Sequence, residues 1–239
     1  MKKTELDIVI PVYNEGKRIF KLINYLKNKL RMKYRIIICY DSKNDSTYKL
    51  IKKNKTKVKN KIVLIKNIGD GPNMAIRTGI EYSNSEIILV YMADDFENGL
   101  LINKMYNHIK KSKYDLIIPS RFVNGGRFIG GNFLKRLVTR IGSNLLFYFG
   151  GIPYRDCTNA FKMFNKKIKL NIKLISTIGF TFAIELSVKT YFAGYKICEV
   201  PCTWRDLTNR KSNFRVIEWL PYYIYWLFYS IFNNLKKNA

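Results

Sequence analysis

An α/β fold with a mostly parallel central sheet is predicted by three features of this 239-residue sequence. Short runs rich in Ile and Val recur through its first half. Each run is almost continuously apolar, as strands covered on both faces are. Stretches with helical spacing of apolar residues alternate with these runs, which is the pattern of βαβ units.

The elements follow in order. Residues 6–12 (LDIVIPV), 35–39 (RIIIC), 61–65 (KIVLI), 86–92 (EIILVYM) and 115–120 (DLIIPS) read as strands. Residues 16–30 keep Ile19, Phe20, Ile23, Leu26 and Leu30 at helical spacing, and 73–83 and 99–112 repeat that spacing. Beyond them lie a basic Gly-rich loop at 120–132, a helix near 133–149, and a turn with a short strand at 155–164. A helix over 179–195 stops at Gly194, and 196–204 returns to strand. No repeat or linker interrupts the pattern. One domain is expected over 1–215, with an appendage over 216–239.

The composition is 47% hydrophobic, which excludes wholesale disorder. Lys and Arg number 43 against 17 acids, for a net charge of +26. Such a field suits nucleic acid, anionic lipid headgroups or phosphorylated ligands without choosing among them. No RNA-binding motif accompanies the charge, so nucleic acid is not expected as a partner. Cys39, Cys157, Cys198 and Cys202 form no CxxC pair and read as reduced thiols of a cytosolic protein. The start, MKKTELDIVIPVYNE, makes a poor signal peptide. Nothing in the pattern indicates an oligomeric state.

The appendage VIEWLPYYIYWLFYSIF (216–232) is apolar and aromatic, with basic residues on both sides. It is short for a membrane span and carries Glu218 and Pro221. A buried terminal helix, a full span and an interfacial helix with a basic collar all remain open. Tyr and Trp favour the headgroup zone, which points to the third.

The only histidine is His108, among lysines on an expected surface helix. That excludes a His-based triad, a His zinc site and a His general base. A metal would have to be held by carboxylates, which suits Mg²⁺ or Mn²⁺. Asp94, Asp95 and Glu97 crowd the end of the 86–92 strand, where ligands of open α/β sheets bind. If the backbone stays extended there, Asp95 and Glu97 share a face; if the strand ends at Met92, a turn could join Asp94 and Asp95.

The motifs VIPVYNE, YDSKNDST, GDGPNMAIRTG and MADD, in that order, resemble the N-terminal half of family 2 of the inverting glycosyltransferases. The later SRFVNGGRFIGG, RDCTNAFK, GFTFAIEL, GYKICEVPCTWRD and SNF resemble the dolichyl-phosphate and polyprenyl-phosphate sugar transferase branch. The match runs from about residue 6 to 214. The resemblance implies a Rossmann-like GT-A fold, a nucleotide-diphospho-sugar donor (GDP- or UDP-sugar) and a polyprenyl-phosphate acceptor. It also implies peripheral association with the cytosolic membrane face. A saccharide hydroxyl acceptor is the alternative.

Carried over residue by residue, Pro11, Tyr13, Asn14 and Glu15 match the first nucleotide-binding segment. Asp41 matches an acid at the base or ribose, and Gly69, Gly71 and Ala75 the loop and helix start beside the base. Asp94 matches the second acid of the metal motif and would also face the diphosphate. Met92 occupies the slot of the first acid, so Asp95 or Glu97 is left to complete the set. Arg121 matches an arginine for phosphate, and Arg136 or Arg140 a basic residue after the loop, near Arg127. Asp156 matches an acid near the reaction centre. In WRDLTNRKSNF, Leu207 and Arg210 replace the Arg and Gly of the family pattern, and Arg205, Arg210 and Lys211 are candidates to supply the charge instead.

Overall fold

The computed structural model describes residues 4–54, 61–131, 133–206 and 216–238. Among them run β1 (Leu6–Val12), α1 (Arg18–Lys29), β2 (Tyr34–Tyr40), α2 (Ser46–Lys53), β3 (Ile62–Lys66), α3 (Gly71–Tyr82), β4 (Ile87–Val90) and α4 (Gly99–Lys110). There follow β5 (Leu116–Ser120), β6 (Arg127–Gly130), α5 (Phe133–Tyr148), β7 (Lys162–Asn165), α6 (Lys166–Asn171), α7 (Phe182–Phe192), β8 (Ile197–Pro201), β9 (Thr203–Asp206) and α8 (Val216–Asn238).

The main sheet has the order β3-β2-β1-β4-β7-β5-β8, and only β7 runs antiparallel to its neighbours. Side chains alternate between its faces. Ile8, Ile10, Ile36, Ile38 and Leu89 pack with Ile19, Leu22 and Leu26 of α1 and Ile102 and Met105 of α4. Val9, Ile37, Cys39, Ile88 and Val90 pack with Ala75 and Ile76 of α3 and Phe182 and Leu186 of α7. Helix α3 lies hard on the sheet: a Cβ at Gly79 would stand 2.3 Å from a Val9 methyl and 2.8 Å from the Cys39 sulfur. All four cysteines are free.

The expected strands of the first half stand in place, and the 86–92 run stops at Val90. Three features depart from the sequence reading. The Gly-rich loop contains β6, which pairs in parallel with β9 as a second, two-stranded sheet. The 196–204 run breaks at Cys202 into β8 and β9, so one segment serves both sheets. Helices α2 and α6 were not foreseen. Each is short and opens on a side-chain cap, Asp45 to the Thr47 N–H and Asn165 to the Ile168 N–H.

Helix α8 packs on the domain through Trp219, Trp226 and Ser230, which are buried. The Trp226 Nε1–H donates to Ser176 Oγ at 2.9 Å, and Ser230 Oγ–H to the Gly150 carbonyl at 2.8 Å. Its other side leaves Leu220, Ile224, Phe228, Phe232 and Leu235 exposed. Among the described residues no helix is long and apolar enough to cross a membrane.

Candidate active site

A cavity of about 1010 Å³ opens beyond the carboxyl ends of β1, β2 and β4. Pro11, Tyr13, Glu15, Asp41, Gly71, Ala75, Asp94 and Arg121 all line it. The fold therefore brings together eight of the residues singled out in the sequence. Asn14, Gly69, Asp95, Glu97, Arg136 and Asp156 do not line it.

The polar wall is braced from behind. Asn14 has φ +55°, its N–H donates to Asp45 Oδ2 at 2.8 Å, and its Oδ1 accepts from the Ser46 N–H. The Glu15 N–H donates to Thr47 Oγ1. These bonds tie the loop after β1 to the start of α2. Asp41 follows β2 directly. Its Oδ1 accepts from Asn67 Nδ2 at 2.7 Å and its Oδ2 from the Gly71 N–H. Gly69 shapes the same turn through its N–H to Asn67 Oδ1. Asn14 and Gly69 thus hold the wall from outside the cavity.

The three crowded acids go separate ways. Because β4 ends at Val90, a turn forms in which the Asp95 N–H donates to the Met92 carbonyl. Asp94 faces the cavity. Asp95 points inward and is buried. Its Oδ1 accepts from the Glu97 and Asn98 N–H groups, and its Oδ2 from Asn98 Nδ2 at 2.7 Å. Burial pushes the Asp95 carboxyl up, against the pull of those donors. Asp95 thus anchors the turn at the start of α4, while Asp94 is the acid that faces the cavity. Glu97 stands outside and accepts from Arg205 Nε at 2.7 Å, a surface pair. No group of three His, Cys, Asp or Glu side chains gathers at ligand spacing among the described residues.

On the opposite wall Arg121 leaves β5 and forks onto Asp156, Nε to Oδ2 and Nη2 to Oδ1, both at 2.7 Å. The Arg121 N–H and the Thr158 hydroxyl also donate to Asp156. Asp156 is wholly buried. Burial would raise its pKa, but the Arg121 charge and the fork outweigh burial and hold it below the ordinary carboxylate range. Glu199 clamps the same turn by accepting from the N–H groups of Arg155 and Asp156 at 3.0 and 2.9 Å. With its acceptor sites filled and its basicity depressed, Asp156 is poorly suited to act as a general base. It holds Arg121, which is the member of the pair that meets the cavity.

Arg136 and Arg140 lie on α5, Arg136 half-buried and Arg140 exposed over the Phe122 ring at 5.7 Å. Arg127 opens β6 and is exposed. Arg210 and Lys211 fall outside the described residues. Glu185 is a structural anchor, taking the Ile175 and Ser176 N–H groups and Lys189. The His108 ring makes an edge contact with Tyr114, whose N–H donates to the His108 carbonyl.

The rest of the cavity wall was missed in the sequence. Val138, Ile141 and Leu145 of α5 and Trp219, Leu220 and Tyr223 of α8 give it an apolar side. Gly179, at φ +59°, seats Trp219, since a Cβ there would lie 2.6 Å from the indole. Asp206 and Glu218 also reach the cavity, so six of the 17 acids of this basic chain line it, with Glu15, Asp41, Asp70 and Asp94. The alternation of Trp219, Tyr223 and Trp226 at helical spacing was the available signal for α8.

A cavity across the strand ends of this sheet is the arrangement of a GT-A fold. The glycosyl transferase family 2 profile matches residues 7–173, and the chain belongs to that family. It is 25% identical over 216 residues to the dolichol-phosphate mannosyltransferase of Pyrococcus furiosus, covering 88% of this chain and 59% of that protein. It is 26% identical over 228 residues to the dolichyl-phosphate beta-glucosyltransferase of Saccharomyces cerevisiae, covering 86% of this chain and 68% of that protein. The chain thus spans well under two thirds of its archaeal relative. Its fold matches glucosyl-3-phosphoglycerate synthase from Mycobacterium tuberculosis, solved with Mn²⁺, UDP and glucosyl-3-phosphoglycerate. That likeness has a TM-score of 0.70 at 14% identity, over 95% of this chain and 80% of that one. It also matches the mannosyltransferase PcManGT from Pyrobaculum calidifontis, in complex with GDP-Man and Mn²⁺, at a TM-score of 0.60 and 11% identity, covering 89% and 59%.

Proposed function

We propose that this protein transfers a sugar from a nucleotide-diphospho-sugar to polyprenyl phosphate, with inversion, at the cytosolic face of a membrane. The observation that carries the reading is the two-sided cavity. One wall is polar and built on strand ends; the other is apolar and built from α5 and α8. A donor with a charged nucleotide and an acceptor with a hydrocarbon tail need such a pair of walls.

On the donor side, Pro11, Tyr13, Glu15, Asp41 and Ala75 receive the nucleotide, with Gly71 at the helix start. Asp94 and the neighbouring cavity acids suit a hard divalent cation. Mg²⁺ commonly binds through one or two carboxylates plus substrate phosphates, so a three-acid cage is not required. When bound, Mg²⁺ or Mn²⁺ offsets the charge of the departing diphosphate.

On the acceptor side, Arg121 presents its charge to the lipid phosphate, with Arg136 and Arg140 near the approach along α5. A phosphate monoester has a second pKa of about 6 and is largely ionised at neutral pH. Its oxygen attacks the anomeric carbon as the bond to the diphosphate breaks on the opposite face. No proton has to be taken, which fits an Asp156 already committed to Arg121. A hydroxyl acceptor would need Asp156 as its base, and its geometry favours the phosphate.

The segment 216–239 acts as an interfacial helix rather than a span. The stripe Leu220, Ile224, Phe228, Phe232 and Leu235 lies in the headgroup zone, Lys236 and Lys237 meet anionic lipid, and Phe133, Leu137 and Ile141 of α5 extend the surface. The test is to incubate the protein with UDP- and GDP-sugars, Mn²⁺ or Mg²⁺, and polyprenyl phosphate. A lipid-linked sugar is expected, lost in Asp94→Asn. Transfer only to soluble glycans would overturn the acceptor assignment.

A further inference from the structure

Lys162 stands in the middle of the sheet. Strand β7 inserts antiparallel between β4 and β5, and Lys162 sits opposite Val90. The side chain is wholly buried, and its Nζ has no hydrogen-bond partner among the described residues. The titratable groups facing it are Asp156 and Cys157 from the turn before β7, Glu199 from β8 and Arg121 from the end of β5; β4 offers only apolar Val90. Burial pulls the Lys162 pKa down to about 8, with the two acids opposing.

These groups are linked. Arg121 forks onto Asp156, and Glu199 holds the backbone that carries Asp156. With Lys162 charged, two cations balance two carboxylates. With Lys162 neutral, one net negative charge is left behind the cavity wall, beside Arg121. Cys157 and Cys202 take no part at that pH, because burial pushes both thiols up to about 12.

We propose that Lys162 is a positioning residue: its buried ammonium balances Asp156 and Glu199 and so sets how much of the Arg121 charge reaches an anion in the cavity. This rests on the reading of Arg121 as the phosphate-facing cation. Anion binding then weakens as pH rises through the Lys162 titration. A phosphate monoester contributes little to that trend, since its second ionisation, at about 6, is nearly complete at pH 7; inorganic phosphate still gains negative charge above pH 7, which strengthens its binding and so opposes the trend. Stability moves the other way. Between about 8 and the ordinary lysine value of 10.5 the unfolded chain binds the proton and the folded chain does not, so this group's contribution to stability rises with pH.

The experiment measures calorimetric binding of farnesyl phosphate and of inorganic phosphate to the full chain, without donor, from about pH 7 to about pH 9.5, across the Lys162 titration. Wild-type Kd is expected to rise about fivefold or more, within the usual range of coupling between sites. Lys162→Arg, charged throughout, binds with no such rise; Lys162→Met binds weakly at every pH. Should Lys162→Met fail to fold, the wild type against Lys162→Arg still decides, together with a melting series in which the stability of the wild type relative to Lys162→Arg rises above pH 8. Equal slopes in wild type and Lys162→Arg, or no phosphate binding at all, would overturn the proposal. A break with inorganic phosphate alone sinks the lipid-acceptor reading and keeps this one. Lipid-linked product with no break keeps the acceptor reading and sinks this one.

Discussion

Tyr13, Asp41 and Asp94 stand one, one and four residues past the ends of β1, β2 and β4, so the polar wall of the cavity is a row of strand ends. The opposite wall has no such row. There Arg121, just past β5, is held from behind by Asp156 of a turn and Glu199 of β8, through an ion pair and hydrogen bonds across the fold. The first wall follows from topology, since any parallel sheet places its loops there. The second depends on a buried ion pair and on two helices seated by tertiary contacts. Damage to the first should therefore appear in ligand handling, and damage to the second in stability as well.

The largest expected effect tests the second wall. Asp156→Asn strands the Arg121 guanidinium and should lower stability by about 3–5 kcal/mol in urea denaturation. The pH dependence has a definite sign. Asp156 is held below its ordinary value of 3.8, so its contribution is present above that pH and is lost as pH falls through the folded value. A variant as stable as wild type at neutral pH would contradict this account.

Next comes the first wall. Asp94→Asn should reduce metal-dependent turnover by at least about a hundredfold, since even supporting contacts around metal ligands are worth about 10–100-fold. Asp95→Asn should stay within about tenfold, because an amide oxygen still accepts from Glu97 and Asn98. Initial rates across a Mn²⁺ titration check both. Equal losses would return Asp95 to the ligand set.

Smaller effects separate the two sides of α8. Gly179→Ala forces a methyl into Trp219 at a left-handed φ and should cost about 1–3 kcal/mol, read by thermal melting. Phe228→Ser with Phe232→Ser, on the exposed side, should change stability by less than about 0.5 kcal/mol each. The pair should release the protein from anionic vesicles in a flotation assay. Retained flotation would remove this stripe from the interface.

The sheet was legible in the sequence because parallel strands are apolar on both faces and announce themselves as unbroken runs. Asp94 was legible as an acid at the end of such a run, whereas Tyr13 and Asp41 were picked out through the family resemblance. The break at Cys202 was not, because β8 and β9 form one continuous stretch whose division depends on which strands accept them. Asp95 and Asp94 look equivalent in sequence; only the end of β4 at Val90 turns one inward and the other to the cavity. Lys162 carried a signal that went unread: a lysine inside AFKMF, a run otherwise fit for a buried strand.

The seat of Trp219 on Gly179 has a further consequence. The indole is at once a foothold of α8 and part of the cavity lining. Under the proposed function, a push on the outer stripe of that helix would reach the cavity proposed to hold the substrates. Mooring and container are a single part, and a change designed for one has to be assayed in the other.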